Sequence, residues 1–342
     1  MAGPLSTKDL PGAVCLLPKL DAAALQRDLA AVEGRTWNPE APYVFEGFFG
    51  SETKVYHDGK WVGLSLRSQG GKAERTDPGG PGLEEFQNTS LLRHTPYLAD
   101  VLDMLNSPLR SARLLRLPPG GVIGEHRDTY HGFQYGQLRL HAPITTNASV
   151  ENVIRGQRWR WRPGELWYGD FGSLHSVRNG GDADRVHLVI DVLITPATLQ
   201  LFPPDVAAAI AQTDVLFHEP SIDVPVADLR RLQCSFQLPS TLVRGIFDID
   251  DGIVPELDAR LACEDNRLLF TVENRKLFAL QPLQGNRLAF TGWTTERYFE
   301  YEIQSDAVTN LVLVLRRGSE ATRVVFPVRR DSRFPPSPPG RA

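Results

Sequence analysis

Cysteine is scarce in this chain: Cys15, Cys234 and Cys263 are the only three among 342 residues. They are odd in number, far apart and form no CxxC, so neither a disulfide framework nor a thiolate zinc site is indicated, and a reducing compartment is expected. Long apolar runs are also missing. No segment approaches the roughly 18 to 20 continuous apolar residues of a membrane span, and Met1 to Leu20 carries Lys8 and Asp9 where a secretory leader needs an apolar stretch. The expected location is therefore cytoplasmic, with no membrane partner. Nor is there a surplus of positive charge: 37 Lys+Arg against 41 Asp+Glu give a net charge of −4 without a long basic run, which argues against nucleic acid as a partner.

What remains is an ordinary globular composition, 42% hydrophobic, 9% aromatic and 23% charged, which excludes disorder as the main state. At about 150 residues per domain the length fits two domains, or one large domain with an appendage. Ala13 to Leu17 has the composition of a strand, and Asp21 precedes a helical spacing of Ala22, Leu25, Leu29 and Val32. Val55 to Arg67 reads as a strand or hairpin broken at Asp58-Gly59, Gln69 to Gly82 as a loop rich in Gly and Pro, and Pro96 to Leu105 as a helix. From Ala112 onward short strand-like runs take over: Arg113 to Leu117, Gln137 to Ile144, Arg158 to Arg162, Glu165 to Tyr168, His175 to Val177 and Arg185 to Ile194. Their spacing is that of a barrel or sandwich of antiparallel strands, with a hairpin marked by Asn179-Gly180-Gly181-Asp182.

Pro204 to Thr213 and Val226 to Leu232 are helical in pattern, with Pro220 and Pro225 in the linker between them. Residues 1–225 are thus expected to form one domain and residues 226–332 a second, smaller antiparallel β domain, whose strands run from Leu242 to Ile249 through to Thr322 to Val328. Residues 333–342, with FPPSPPGRA, have too little apolar content to pack and are expected to be a disordered tail.

One constellation carries chemistry. His126 and Asp128 stand at i and i+2, which on an extended strand points both side chains to one face. His175, in a later strand-like run, supplies a third ligand, and two imidazoles with one carboxylate leave coordination positions open, as in non-haem Fe(II) oxygenases. Arg185 lies across the Asn179 to Asp182 turn from His175, where a hairpin returns it beside that histidine. A planar guanidinium there suits the far carboxylate of a dicarboxylic co-substrate such as 2-oxoglutarate. Period-2 alternation puts Arg139 and His141 on one face of their run, and Arg185, His187, Val189 and Asp191 on one face of theirs. If the apolar faces pack outward, the interior is lined by groups able to receive carboxylates.

Residues 113–194 resemble the aspartyl/asparaginyl β-hydroxylase family of Fe(II)/2-oxoglutarate-dependent oxygenases, which includes the bacterial free-proline cis-hydroxylases. The resemblance is carried by Leu117-Pro118-Pro119-Gly120, His126-Arg127-Asp128, Arg139-Leu140-His141, Gly164-Glu165-Leu166-Trp167, Asp170, His175-Ser176-Val177-Arg178-Asn179 and Arg185-Val186-His187-Leu188-Val189-Ile190-Asp191. It implies a mainly β chain with flanking helices: a double-stranded β-helix (jelly-roll, cupin-like) catalytic domain. It also implies His126, Asp128 and His175 as iron ligands, Arg185 on the distal carboxylate of 2-oxoglutarate, and O2 as second co-substrate. Arg139 and His141 match family positions near the co-substrate and substrate carboxylates, and which carboxylate each contacts stays open. Asp128, kept as in the bacterial amino-acid hydroxylases, favours hydroxylation over the halogenation of relatives that lack it.

The expected activity is hydroxylation of an unactivated C–H bond of an amino acid or an amino-acid-derived small molecule, free or carrier-tethered, with succinate and CO2 released. Two other readings stand beside it: a cupin-type isomerase or dioxygenase that works without 2-oxoglutarate, and a small-ligand sensor. Among individual residues, Arg139 has an alternative as an ion-pair partner of Asp170 or Asp191, and His141 and His187 as core histidines. Tyr130, His131, Phe133 and Gln134 are candidates for substrate contact, whereas Trp159, Trp161 and Trp167 suit packing. The second domain loosely resembles the small lipocalin-like sheets at the ends of some enzymes; covering the barrel, forming a homodimer and touching substrate are the roles open to it.

Overall fold

The computed structural model describes residues 9–40, 57–239, 256–305 and 307–329. They fall into two units, one of residues 9–40, 57–79 and 86–218, the other of 80–85 and the described residues from 219 on. The strand expected over Leu242 to Ile249 and the tail 333–342 lie outside the described residues.

In the first unit, β1 (Ala13–Lys19) leads into α1 (Ala22–Val32). Asp21 starts that helix: its carboxylate accepts the N–H groups of Ala23 and Ala24, which have no partner inside the helix. Next come β2 (Asn38–Pro39), β3 (Val62–Gln69), β4 (Phe86–Asn88), α2 (Pro96–Met104) and β5 (Leu109–Leu117). They are followed by β6 (Val122–His126), β7 (Gln137–Thr145), β8 (Val150–Ile154), β9 (Gln157–Trp159), β10 (Glu165–Gly169), β11 (His175–Asn179) and β12 (Arg185–Leu193), then α3 (Pro196–Leu199) and α4 (Pro204–Ile210).

Two antiparallel sheets result, a large one in the order β1-β10-β7-β12-β5-β3-β2 with β4 on β3, and a small one in the order β6-β11-β8-β9. From β5 to β12 the chain passes back and forth between the two sheets, so that β5, β12, β7 and β10 are neighbours in one and β6, β11, β8 and β9 in the other. This strand order is the double-stranded β-helix.

Alternation then sorts the side chains. On β7 and β12, Leu138, Leu140, Ala142, Ile144, Val186, Leu188, Ile190 and Val192 join Leu25, Leu29 and Val32 of α1 and Leu98, Val101 and Leu102 of α2 in one apolar core. The apolar faces do pack outward against helices, and Arg139, His141, Arg185, His187 and Asp191 are left on the inner face. The run expected as a strand over Arg158 to Arg162 pairs only at β9, and Phe133, weighed as a substrate contact, is instead buried in the apolar core against Tyr168 and Phe202.

The second unit holds α5 (Val226–Arg231), β13 (Cys234–Pro239), β14 (Glu256–Glu264), β15 (Arg267–Val272), β16 (Arg275–Leu283), β17 (Arg287–Phe290), β18 (Arg297–Gln304), β19 (Ala307–Arg317) and β20 (Glu320–Pro327). These strands form one antiparallel sheet in sequence order. Ser235 and Arg329 exchange both backbone hydrogen bonds, at 3.2 and 2.7 Å, which nearly closes the sheet on itself. Phe236, Phe270, Phe278, Phe290, Phe299 and Phe326 fill its core with ring-to-ring contacts. Among the described residues no helix is long and apolar enough to cross a membrane.

Candidate active site

The register of the small sheet assembles the first half of the site. β6 and β11 place His126 opposite His175, with ring centroids 4.1 Å apart. Two residues beyond the end of β6, the backbone N–H of Asp128 donates to the Phe171 carbonyl at 2.9 Å and sets the carboxylate beside both rings. Gly172 permits this close approach of chains, because a Cβ there would meet the His131 carbonyl oxygen at 2.6 Å. Asp128 Oδ1 lies 3.5 Å from His126 Nε2 and 3.9 Å from His175 Nε2. The three residues form the only group of potential metal ligands found among the described residues, with ligand atoms all within 4.8 Å of one another.

The donor chemistry fits a divalent cation. His126 Nδ1–H donates to the Gly124 carbonyl at 2.8 Å and His175 Nδ1–H to the Ser173 carbonyl at 3.0 Å. Both backbone bonds place the proton on Nδ1 and leave Nε2 as a lone pair aimed inward, the usual preparation of a metal-binding imidazole. Two ligands of one ion stand no further apart than twice the metal–ligand distance, about 4.2 Å, and both Asp–His separations satisfy that limit. Burial acts to raise the Asp128 carboxyl, but Arg139 and then His175, His131 and His126 outweigh it and bring it down to about 2. The ligand is thus anionic at any physiological pH. Burial also lowers His175, offset in part by Asp128, which favours the neutral imidazole.

The large sheet contributes the wall. Arg139 and Asp191 are cross-strand partners on β7 and β12, and of the two partners open to Arg139 the structure forms the pair with Asp191. Asp170 pairs instead with Arg155. Arg139 also donates through Nη1 to Asp128 Oδ2, so it braces the outer oxygen of the proposed ligand. Burial would lower the guanidinium, yet Asp191 and Asp128 raise it overall.

Further along the same face lies a second group. His141 and His187 meet Nδ1 to Nδ1 at 3.3 Å, so one ring donates and the other accepts, and of their two Nε2 atoms one carries a proton and one does not. The Trp161 ring stands 5.3 Å from His141 and 5.9 Å from His187, and Phe171 bridges His141 and His175 at 4.8 and 4.9 Å. Burial, then Arg185, holds both histidines well below the ordinary imidazole range, hence neutral.

Arg185 is 2% exposed. It reaches from β12 to the small sheet, where Nη2 donates to Asn152 Oδ1 at 3.4 Å, and Nε has no partner. No described carboxylate pairs with it, and burial alone pulls it down to about 9. The Nε2 atoms of His141 and His187 and the Trp161 Nε1 are buried without partners as well. A cation and several polar atoms taken out of water without counterparts are costly. Such a group of atoms could receive an anionic, hydrogen-bonding guest such as a carboxylate.

Of the six candidate residues, His126, Arg139, His141, His175 and Arg185 lie on strands of the two sheets and Asp128 lies just beyond β6; the sequence reading left out Asn152, Phe171, Ser111 and Arg113. Asn152 and Phe171 carry no motif. Arg113, paired with Glu40 at 2.7 Å and lying 3.5 Å from Asp191, was legible only through its alternation on β5.

Residues 35–194 match the family model described as Aspartyl/Asparaginyl beta-hydroxylase. The chain is 28% identical over 178 residues to an L-proline cis-4-hydroxylase of Rhizobium meliloti (strain 1021), a match that spans 51% of this chain and 58% of that protein. The chain thus matches little more than half of that relative's length. Among solved structures, a 2OG-Fe(II) oxygenase family oxidoreductase from Burkholderia pseudomallei is 17% identical with a TM-score of 0.36, covering 53% of this chain and 85% of that one. A prolyl-4-hydroxylase from Pseudomonas putida is 12% identical with a TM-score of 0.34, covering 54% and 93%. Residues 35–194, which take in the strands of the β-helix, are thus similar to the aspartyl/asparaginyl beta-hydroxylase family.

Proposed function

We propose that the first unit is an Fe(II)/2-oxoglutarate-dependent hydroxylase of an amino acid or an amino-acid-derived small molecule. The observation that carries this reading is the pairing of two groups, one from each sheet of the β-helix: a 2-His-1-carboxylate cluster for a cation, and a buried guanidinium with no carboxylate partner among the described residues for an anion. His126, Asp128 and His175 would hold the iron. Arg185 would take the distal carboxylate of 2-oxoglutarate, with His141 beside it and Arg139 at the Asp128 edge of the site. Bound iron and 2-oxoglutarate supply the oxidising power that turns O2 on a C–H bond, with succinate and CO2 as co-products.

The chain's own part is to prepare, neutralise and enclose. Backbone carbonyls at Gly124 and Ser173 fix the tautomers of the two ligand imidazoles, and Arg139 orients the carboxylate. Trp161 and Phe171 line the region beside His141 with apolar surface, which excludes water and strengthens the Arg185–carboxylate interaction. An amino acid is the substrate class to assay first, beginning with L-proline, because the relative acts on it.

Anaerobic addition of Fe(II) and 2-oxoglutarate should produce a weak visible charge-transfer band, absent from the Asp128→Ala/His175→Ala variant. Aerobic turnover should release succinate and a product heavier by one oxygen. A cupin-type enzyme working without 2-oxoglutarate would be indifferent to Arg185→Ala. Absence of the band from the wild-type protein, or its survival in the double variant, would sink the proposal.

A further inference from the structure

Among the described residues of the first unit, Asp191 is a buried carboxylate with five polar contacts, none of them to the three candidate ligands. Its Oδ1 accepts from Arg139 Nε at 2.7 Å, and its Oδ2 accepts from Arg139 Nη2 at 3.0 Å and from Ser111 Oγ at 2.7 Å. Arg113 Nη2 stands 3.5 Å from Oδ2, and His131 Nε2 stands 3.6 Å from Oδ1. These contacts come from β5, β7 and the segment after β6, so the carboxylate is held from three sides and is wholly inaccessible. Its position is set by β12, where it lies directly across from Arg139.

The consequence follows from the shape of a guanidinium. Arg139 is a flat, rigid fork, and two bonds along its Nε–Nη2 edge fix where Nη1 points. Nη1 meets Asp128 Oδ2, leaving Oδ1 toward His126 and His175. Two carboxylates therefore share one guanidinium unequally: Asp191 takes the two-point grip and Asp128 a single contact. Were the charge of Asp191 removed, the strongest partner left for the fork would be Asp128 itself, and a two-point grip there would occupy Oδ1.

We propose that Asp191 is a positioning residue that withholds Arg139 from Asp128, so that one oxygen of Asp128 stays available to a divalent cation. The proposal rests on the reading of His126, Asp128 and His175 as a metal triad and adds a residue that acts on the ion only through Arg139.

The test is Co2+ titration of the full chain, read by the visible d–d absorption of the bound ion, with thermal unfolding recorded in parallel to establish that each variant is folded. Asp191→Asn should weaken Co2+ binding by about 10- to 100-fold, the usual cost of disturbing a partner of a metal ligand. Arg139→Gln has no fork to be withheld and should bind Co2+ more tightly than Asp191→Asn. Asp191→Asn/Arg139→Gln should bind Co2+ at least as well as Asp191→Asn alone, because the competing fork is gone. Wild-type affinity in folded Asp191→Asn would overturn the proposal, as would an Arg139→Gln loss as large as that of Asp191→Asn, or a double variant whose loss is the product of the two single losses. Should Asp191→Asn fail to fold, the double variant is compared with Arg139→Gln: equal affinities support a role exercised only through Arg139, and a further loss overturns it. Failure of the wild-type protein to bind Co2+ overturns the triad itself, a different result from any of these.

Discussion

Replacing Arg185 with Met should make the ligand-free protein more stable while abolishing its response to 2-oxoglutarate. The guanidinium is buried, and among the described residues its Nε has no partner and its one hydrogen bond, to Asn152, is long at 3.4 Å. Burial lowers it from 12.5 to about 9, which at about 1.36 kcal/mol per pH unit corresponds to roughly 5 kcal/mol against the charged form. Losing the Asn152 bond offsets part of this, while Met retains most of the side chain's packing. A net gain of about 2 to 3 kcal/mol follows, or roughly 4 to 12 °C in the Tm of a domain of this size.

The sign with pH is fixed too. A base whose folded pKa is depressed carries its full penalty below that pKa and loses it only as pH rises from about 9 toward 12.5. The gap between wild type and Arg185→Met should therefore be constant from about pH 6 to 8. Five of the six tryptophans, Trp37, Trp61, Trp159, Trp161 and Trp167, belong to the first unit and Trp293 to the second, so tryptophan fluorescence during heating, compared with that of a Trp293→Phe background, follows the first unit. With Mn2+ present, 2-oxoglutarate at about 100 times its Kd should raise wild-type stability by about 2.7 kcal/mol and leave the variant unmoved. A ligand-free variant that melts below wild type, or one that keeps the shift, would show that Arg185 has a satisfied structural role and is no receptor.

Glu40 offers a second pH-dependent check. Burial, against the pull of Arg113, raises its carboxyl from 4.5 to about 7. Stability should be highest below about pH 4.5 for this group and decline by about 3 kcal/mol as pH rises through 7; urea midpoints at pH 5 and 8 should show that slope in wild type and not in Glu40→Gln. Asp21→Ala removes the two N-cap bonds to Ala23 and Ala24 and should cost about 1 kcal/mol in urea denaturation without changing Co2+ affinity. In the second unit, Phe270→Ala removes a ring packed against Phe236, Phe278, Phe290 and Phe299. It should cost about 3 to 5 kcal/mol in the unfolding of that unit, and an unchanged midpoint would contradict the filled core.

How much was legible from sequence depended on whether the information is local. On β12, strict alternation puts Arg185, His187 and Asp191 opposite Val186, Leu188, Ile190 and Val192, and a period-2 pattern over nine residues leaves little freedom. β6 and β8 escaped notice because each has five residues, with Gly124 in one and Glu151 and Asn152 in the other, so no apolar alternation accumulates. The partner of Arg139 was legible only as a choice between two aspartates. The register of β7 against β12 decides it, and register is a property of the paired strands rather than of either alone.

The same distinction bears on why the inner face tolerates so much charge. The apolar faces of β7 and β12 are buried against α1 and α2, so the first unit's core lies outside the β-helix and its interior is spared from holding the fold together. Charges placed inside are costly unless partnered. Here they divide into two kinds: Arg113, Arg139, Asp128 and Asp191 compensate one another, whereas Arg185 has no carboxylate partner among the described residues. A compensated network rigidifies and positions. An uncompensated cation at the same depth keeps its cost until an anion arrives; in the proposed function that cost is part of what a bound carboxylate would recover, and the Arg185→Met experiment measures it net of the lost Asn152 bond.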